Sequence, residues 1–229
     1  MDPAGVWKVS GEFDVLSEKV RRALLLIDLQ NDFVEGGSLA VPRGREVIAI
    51  ANKLMPKFDI VVATLDWHPA DHRSFASQHA AVAVYDKFEL DGLPQTAWPD
   101  HCVEGTLGAE LVADLNQSEI DFRVYKGTDR WIDSYSGFFD NGHRKATGLS
   151  ELLRREGVNE VFVMGLATDY CVLYSALDAV REGFSTTVIV DGCRGVGIRS
   201  HDIPDAWEAM FAAGIRLLSS DEVLELVRR

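Results

Sequence analysis

The sequence predicts a single doubly wound α/β domain, with helices flanking a mainly parallel sheet of about six strands. Three observations carry this expectation. Runs rich in Val, Ile and Leu alternate with amphipathic stretches from about residue 21 onward. The runs are near-continuously apolar, as strands covered on both faces must be. Helix-length segments separate most of the runs, and that alternation implies right-handed crossovers between parallel strands.

The first run, ALLLI, ends at Asp28, and a Gly-rich turn (GGSLAVPRG) leads into the helical pattern EVIAIANKLMPKF. The second run, IVVATL, ends at Asp66 and opens a long polar stretch reaching about Gly105. Within it, Phe75–Trp98 is too long for an ordinary connection and is therefore expected to be functional. A short helix is expected at Ala109–Leu115. FRVY then ends at Lys126, and the helix GLSELLRREG follows a loop. The strand VFVMG, the helix CVLYSALDAVREG and the strand TTVIV, ending at Asp191, come next. The helix IPDAWEAMFAAG, the short strand IRLLS and a helix from about Asp221 complete the order. No repeat or linker interrupts this pattern, so residues 21–229 read as one domain and residues 1–20 as an extension.

A chain of 229 residues can bury one sizeable core, and 47% hydrophobic content is that of a globular domain. The net charge of −13 argues against nucleic-acid or anionic-membrane partners. Three cysteines cannot all pair and fit no disulfide framework, which points to a reducing compartment. The opening MDPAGVWKVSGEFDV lacks the basic and apolar regions of a signal peptide. No apolar run reaches the ~20 residues a membrane span requires. A cytoplasmic protein is expected, with a homo-oligomer left open.

Asp28, Asp66, Lys126, Cys171 and Asp191 each lie where an apolar run ends. A charge inside a buried strand is costly unless paired, whereas at a strand's carboxyl end it opens into the crevice where parallel sheets bind ligands. Cys171 at a helix start would have its thiol pKa lowered by the free N–H groups there. Asp28 could serve as general base and Lys126 could hold both neighbours in their charged forms. Alone, each also reads as a buried core thiol, a turn-capping carboxylate and a surface lysine. A second constellation comprises DWHPADH, with Asp66, His68 and His72, and PDHC, with His101. One carboxylate with two imidazoles suits one divalent metal ion, Zn2+ first and Fe2+ or Mn2+ as alternatives.

Together these segments resemble the isochorismatase-like cysteine hydrolases and, among them, the nicotinamidases (pyrazinamidases). The resemblance rests on ALLLIDLQNDFVEGGSLAV, ATLDWHPADHRSF, WPDHCVEGTLGAEL, YKGTDRWIDSYSGF and VFVMGLATDYCVLYSALDA. The DWH and WPxHC pair is the most specific part, because relatives acting on isochorismate or carbamoyl compounds lack it. The resemblance implies a catalytic triad of Asp28, Lys126 and Cys171. It implies metal ligands at Asp66, His68 and His101, with His72 a further ligand or a supporting group. Phe33, Trp98 and Tyr135 would stack on the substrate ring, with Tyr170 beside them where some members carry His. Backbone N–H groups of Ala167 and Cys171 would form the oxyanion hole, next to a cis Leu166–Ala167 bond. The implied activity is hydrolysis of nicotinamide, and of pyrazinamide, through a cysteine thioester, feeding NAD salvage. A carbamoyl or aliphatic amide hydrolase, a non-catalytic binder of pyridines and a metal-hydroxide amidase are the other readings.

Overall fold

The computed structural model describes residues 20–228, so the extension lies outside the described residues except for Val20. Strand β1 (Arg22–Ile27) is followed by helix α1 (Glu46–Leu54) and strand β2 (Ile60–Asp66). Strands β3 (Lys87–Leu90) and β4 (Leu93–Thr96) precede β5 (Phe122–Lys126) and α2 (Leu149–Arg155). Strand β6 (Glu160–Leu166) leads through a π-helical turn (Thr168–Val172) into α3 (Leu173–Arg181). Strand β7 (Ser185–Arg194), α4 (Asp202–Ala212), β8 (Arg216–Leu218) and α5 (Ser220–Val227) complete the chain.

Six strands form one parallel sheet in the order β5-β2-β1-β6-β7-β8. The strand order turns back between β1 and β6, and the crevice at that switch point is where ligands bind in this architecture. Asp28 leaves β1 on one side of it, and the turn carrying Cys171 leaves β6 on the other. Asp66 and Lys126 sit opposite each other at the ends of β2 and β5. Ala23 through Ile27 are fully buried, which explains the unbroken apolar run of β1. Each such Leu or Ile contributes roughly 1.5–3 kcal/mol relative to exposure. Helices α1 and α5 pack on β7 and on each other, while α3 packs on β6 and β7 and meets α4. Among the described residues no helix is long and apolar enough to cross a membrane.

Three expectations need correction. The helix at Ala109–Leu115 is instead a single 3-10 turn (Leu107–Ala109) followed by irregular chain. Its backbone is diverted to the loop after β1: Val112 N–H donates to Leu29 O at 3.0 Å, and Asn31 N–H to Glu110 O at 3.0 Å. Tertiary pairing thus overrides local helix propensity. Asp191 lies inside β7, and its carboxylate accepts from Ser220 N–H (2.7 Å) and Oγ–H (2.6 Å) at the start of α5. It therefore supports α5 and does not line the cleft. The stretch after Phe75, read without regular structure, contains the antiparallel hairpin β3–β4. Its turn is Asp91-Gly92, with φ of 51° and 78°. Asp-Gly is the dipeptide that such a turn favours.

Candidate active site

Asp28 follows β1 with φ 51°, a left-handed conformation uncommon for a residue with a side chain. Its Oδ1 accepts from Thr64 Oγ1–H at 2.6 Å, and its Oδ2 faces the Lys126 ammonium at 2.8 Å. That ammonium also donates to Asp66 Oδ1 at 2.5 Å, Ser134 O at 2.9 Å and Cys171 Sγ at 3.4 Å. One oxygen each of Asp28 and Asp66 and the Cys171 sulfur lie within 4.8 Å of one another. The structure thus gathers Asp28, Lys126 and Cys171 around one point, as their strand-end positions suggested. It also joins them to Asp66, because Lys126 lies between the two carboxylates.

The electrostatics differ from the sequence expectation for the thiol. Cys171 sits within the π-helical turn that begins at Thr168, one turn in from the helical start. Burial pushes its thiol well above the ordinary range; the Lys126 ammonium opposes this, and the Asp28 charge adds to it. Burial thus works against the thiolate that a helix-start position favours. Burial also raises the Asp28 carboxyl, against the pull of Lys126. For Lys126, burial disfavours the charge, but the two flanking carboxylates outweigh it and hold the ammonium charged. Asp66 stays well below the carboxylate range despite its burial, through Lys126 and His68.

The second constellation forms beside the first. His68 Nε2 and His101 Nε2 lie 3.6 and 3.7 Å from Asp66 Oδ2. Each Nδ1 meets a backbone carbonyl at 2.8 Å, of Gly127 for His68 and of Pro99 for His101. A carbonyl only accepts, so both Nδ1 atoms carry protons and both Nε2 atoms face the carboxylate. Two imidazoles oriented in this way, with a carboxylate, are the donor set of a divalent transition metal. His72 differs. Its Nδ1 accepts from Ser74 N–H at 3.2 Å, which puts the proton on a buried Nε2 with no partner. As arranged it offers an N–H and not a lone pair. Burial, with His68 nearby, lowers its pKa to about 4, so it is neutral.

A narrow, partly open cleft lies between the two groups. Phe33, Trp98, Tyr135, Tyr170, Ala167 and Cys171 all line it, together with Asp66 and His101. The Tyr170 ring meets Trp98 edge-on at 4.8 Å and Tyr135 at 5.3 Å, and Phe33 tilts against His101 at 5.5 Å. The Leu166–Ala167 peptide is cis. The Ala167 carbonyl accepts from the N–H groups of Tyr170 and Val172, both at 3.1 Å, folding the turn back on itself.

The Isochorismatase domain matches residues 22–222. The chain belongs to the isochorismatase family. Within that family, it is 52% identical over 200 residues to a nicotinamidase of Escherichia coli (strain K12), covering 86% of this chain and 93% of the relative. A solved nicotinamidase/pyrazinamidase of Acinetobacter baumanii superposes with a TM-score of 0.86 at 40% identity, covering 89% and 98% of the two chains. A pyrazinamidase of Pyrococcus horikoshii, solved in complex with zinc, gives a TM-score of 0.72 at 35% identity, covering 87% and 99%.

Several residues of this isochorismatase-family site escaped the sequence reading. Gln30 Nε2 donates to Asp66 O at 2.7 Å, while its Oε1 accepts from Asp66 N–H at 2.8 Å, fixing the end of β2. Asp32 accepts from Cys102 N–H at 2.7 Å and so anchors the segment after His101. Phe75 backs the imidazoles of His68 and His101 at 5.5 Å each. Asp133, Leu39 and Val196 also line the cleft. For Gln30 a signal existed, since an amide directly after a buried strand needs partners. For Leu39 and Val196 nothing in the local sequence points to a cleft.

Proposed function

We propose that this chain is a nicotinamidase, hydrolysing nicotinamide to nicotinate and ammonia and also accepting pyrazinamide. One observation carries the reading. The Lys126 ammonium touches Asp28, Asp66 and the Cys171 sulfur at the foot of a cleft walled by Trp98, Tyr135 and Tyr170. A planar amide can stack there with its carboxamide against the sulfur.

Asp28, with its raised affinity for a proton, takes the Cys171 proton as the sulfur attacks the carboxamide carbon. The N–H groups of Ala167 and Cys171 receive the developing oxyanion. Asp28 passes the proton to the nitrogen, which leaves as ammonia, and a thioester remains. Water then gives a proton to Asp28 and attacks the thioester. Nicotinate departs, and the sulfur recovers its proton. Lys126 keeps the carboxylate and the emerging thiolate charged throughout. Asp66, His68 and His101 would hold a divalent ion, Zn2+ first, with His72 in support; it would supply a Lewis-acidic position for a ring nitrogen. The three unpaired cysteines are consistent with a reducing cytoplasm, where the product would feed NAD salvage.

Ammonia release from nicotinamide, pyrazinamide and benzamide tests the reading. The first two should be turned over. Benzamide has the same shape but no ring nitrogen, and its kcat/KM should be lower by at least about tenfold, the equivalent of ~1.4 kcal/mol. Benzamide matching nicotinamide would sink the role given to the ring nitrogen. A carbamoyl compound outperforming all three would make this a different cysteine hydrolase.

A further inference from the structure

We propose that Gln95 is a positioning residue, holding the Tyr135 ring and the Asp133 carboxylate in place around the cleft; this rests on the nicotinamidase reading. Gln95 lies on β4 of the hairpin, within the long Phe75–Trp98 segment. Its side chain is buried, yet it does not line the cleft. Its Nε2 lies 2.9 Å from Asp133 Oδ2, 3.0 Å from Tyr135 Oη and 2.9 Å from Thr96 O, so its two hydrogens are shared among three acceptors. An ionised carboxylate only accepts, so the amide nitrogen must be the atom facing Asp133.

The consequences reach two walls of the site. The Tyr135 hydroxyl also accepts from Trp98 Nε1–H at 3.2 Å, so its oxygen gathers donors from Gln95 and Trp98 together. That shared oxygen fixes the two rings edge to face, at 88°. Asp133 Oδ1 meanwhile accepts from Ser134 N–H at 2.8 Å, and Ser134 O accepts from Lys126 Nζ at 2.9 Å. One amide therefore ties the aromatic slot to the segment that seats Lys126. A leucine would fill similar space but leave a buried carboxylate oxygen and a hydroxyl short of a donor. A glutamate would keep the shape and set a second carboxylate against Asp133.

The test compares wild type, Gln95→Leu, Gln95→Glu, Tyr135→Phe and the Gln95→Leu/Tyr135→Phe double variant. Glu89→Ala, on the exposed part of β3, serves as the control. Steady-state ammonia release and a tryptophan-fluorescence titration with nicotinamide are measured for each, with thermal melts. Gln95→Leu should raise KM and the titration midpoint about tenfold, with kcat within about threefold, as expected for lost hydrogen bonds to a charged group. Gln95→Glu should move KM the same way. In the Tyr135→Phe background the Gln95→Leu effect should shrink, because both changes break one contact. A structural role alone would lower the melting temperature without that split or that non-additivity. If wild type is active and both Gln95 variants keep its KM, or if the double variant is additive, the proposal falls and the nicotinamidase reading stands. If wild type neither binds nor hydrolyses nicotinamide, both fall.

Discussion

Lys126 is the residue on which the chemistry of this crevice turns. Its ammonium contacts Asp28, Asp66 and Cys171, so the thiol and the proposed metal donors share one cation. Cys171→Ala should abolish ammonia release, with a loss of at least about 10⁴-fold in kcat, while fold and metal content persist. Retention of substantial activity would shift the nucleophile's role to a water. Alkylation of the thiol by iodoacetamide separates the contributions of its neighbours. Lys126→Gln should slow alkylation severalfold, since Lys126 is the neighbour that favours the thiolate. His101→Ala should change the rate by less than about twofold, because it reaches the sulfur only indirectly, through Asp66 and then Lys126. Asp66→Asn should speed it, since Asp66 raises the thiol's proton affinity. An unchanged rate in Lys126→Gln would show that its charge does not govern the thiol.

At the scale of elements, short connections at the carboxyl ends of the strands do the positioning. Gly127, directly after β5, has φ +64°, and its carbonyl accepts from His68 Nδ1–H at 2.8 Å. An added Cβ there would lie 2.3 Å from His68 Cε1, so the ring would have to move. Gly127→Ala should cost more than the ~1–2 kcal/mol of a left-handed non-glycine residue and should also weaken metal retention. Gly92, in the hairpin turn, has φ +78° and nothing within 4 Å of the Cβ position. Gly92→Ala should cost about 1–2 kcal/mol and leave metal content unchanged. Thermal melts with metal analysis on both variants check this, and equal metal content in the two would remove Gly127 from the support of His68.

For the whole molecule, the proposed metal donors come from the end of β2, the turn after it and the loop carrying His101, so an ion would tie separate stretches of chain together. At about 1,000-fold excess over its dissociation constant, a ligand stabilises by ~4.1 kcal/mol. Chelation should then lower the melting temperature by roughly 8–16 °C for a domain of this size. No shift on chelation, with metal analysis negative before it, would mean the donors act without an ion. The succession of the six sheet strands along the chain, the parallel sheet and the strand-end placement of Asp28, Asp66 and Lys126 were legible in the chain itself. Fully buried strands leave an unbroken apolar signature, and a charge that ends one is conspicuous. The upward push of burial on the thiol was not legible, because it depends on how deeply a turn is buried and on which charges other strands bring beside it. The same holds for the lost helix at Ala109–Leu115, whose backbone pairs with a loop some 80 residues earlier, at Leu29 and Asn31. Asp191 looked like the other strand-end acids, but β7 runs on past it and its carboxylate turns to Ser220. Local sequence determined which residues end strands and which can carry chemistry. Tertiary packing alone decided their burial, their neighbours and hence their charge, since those energies arise between segments far apart in the chain.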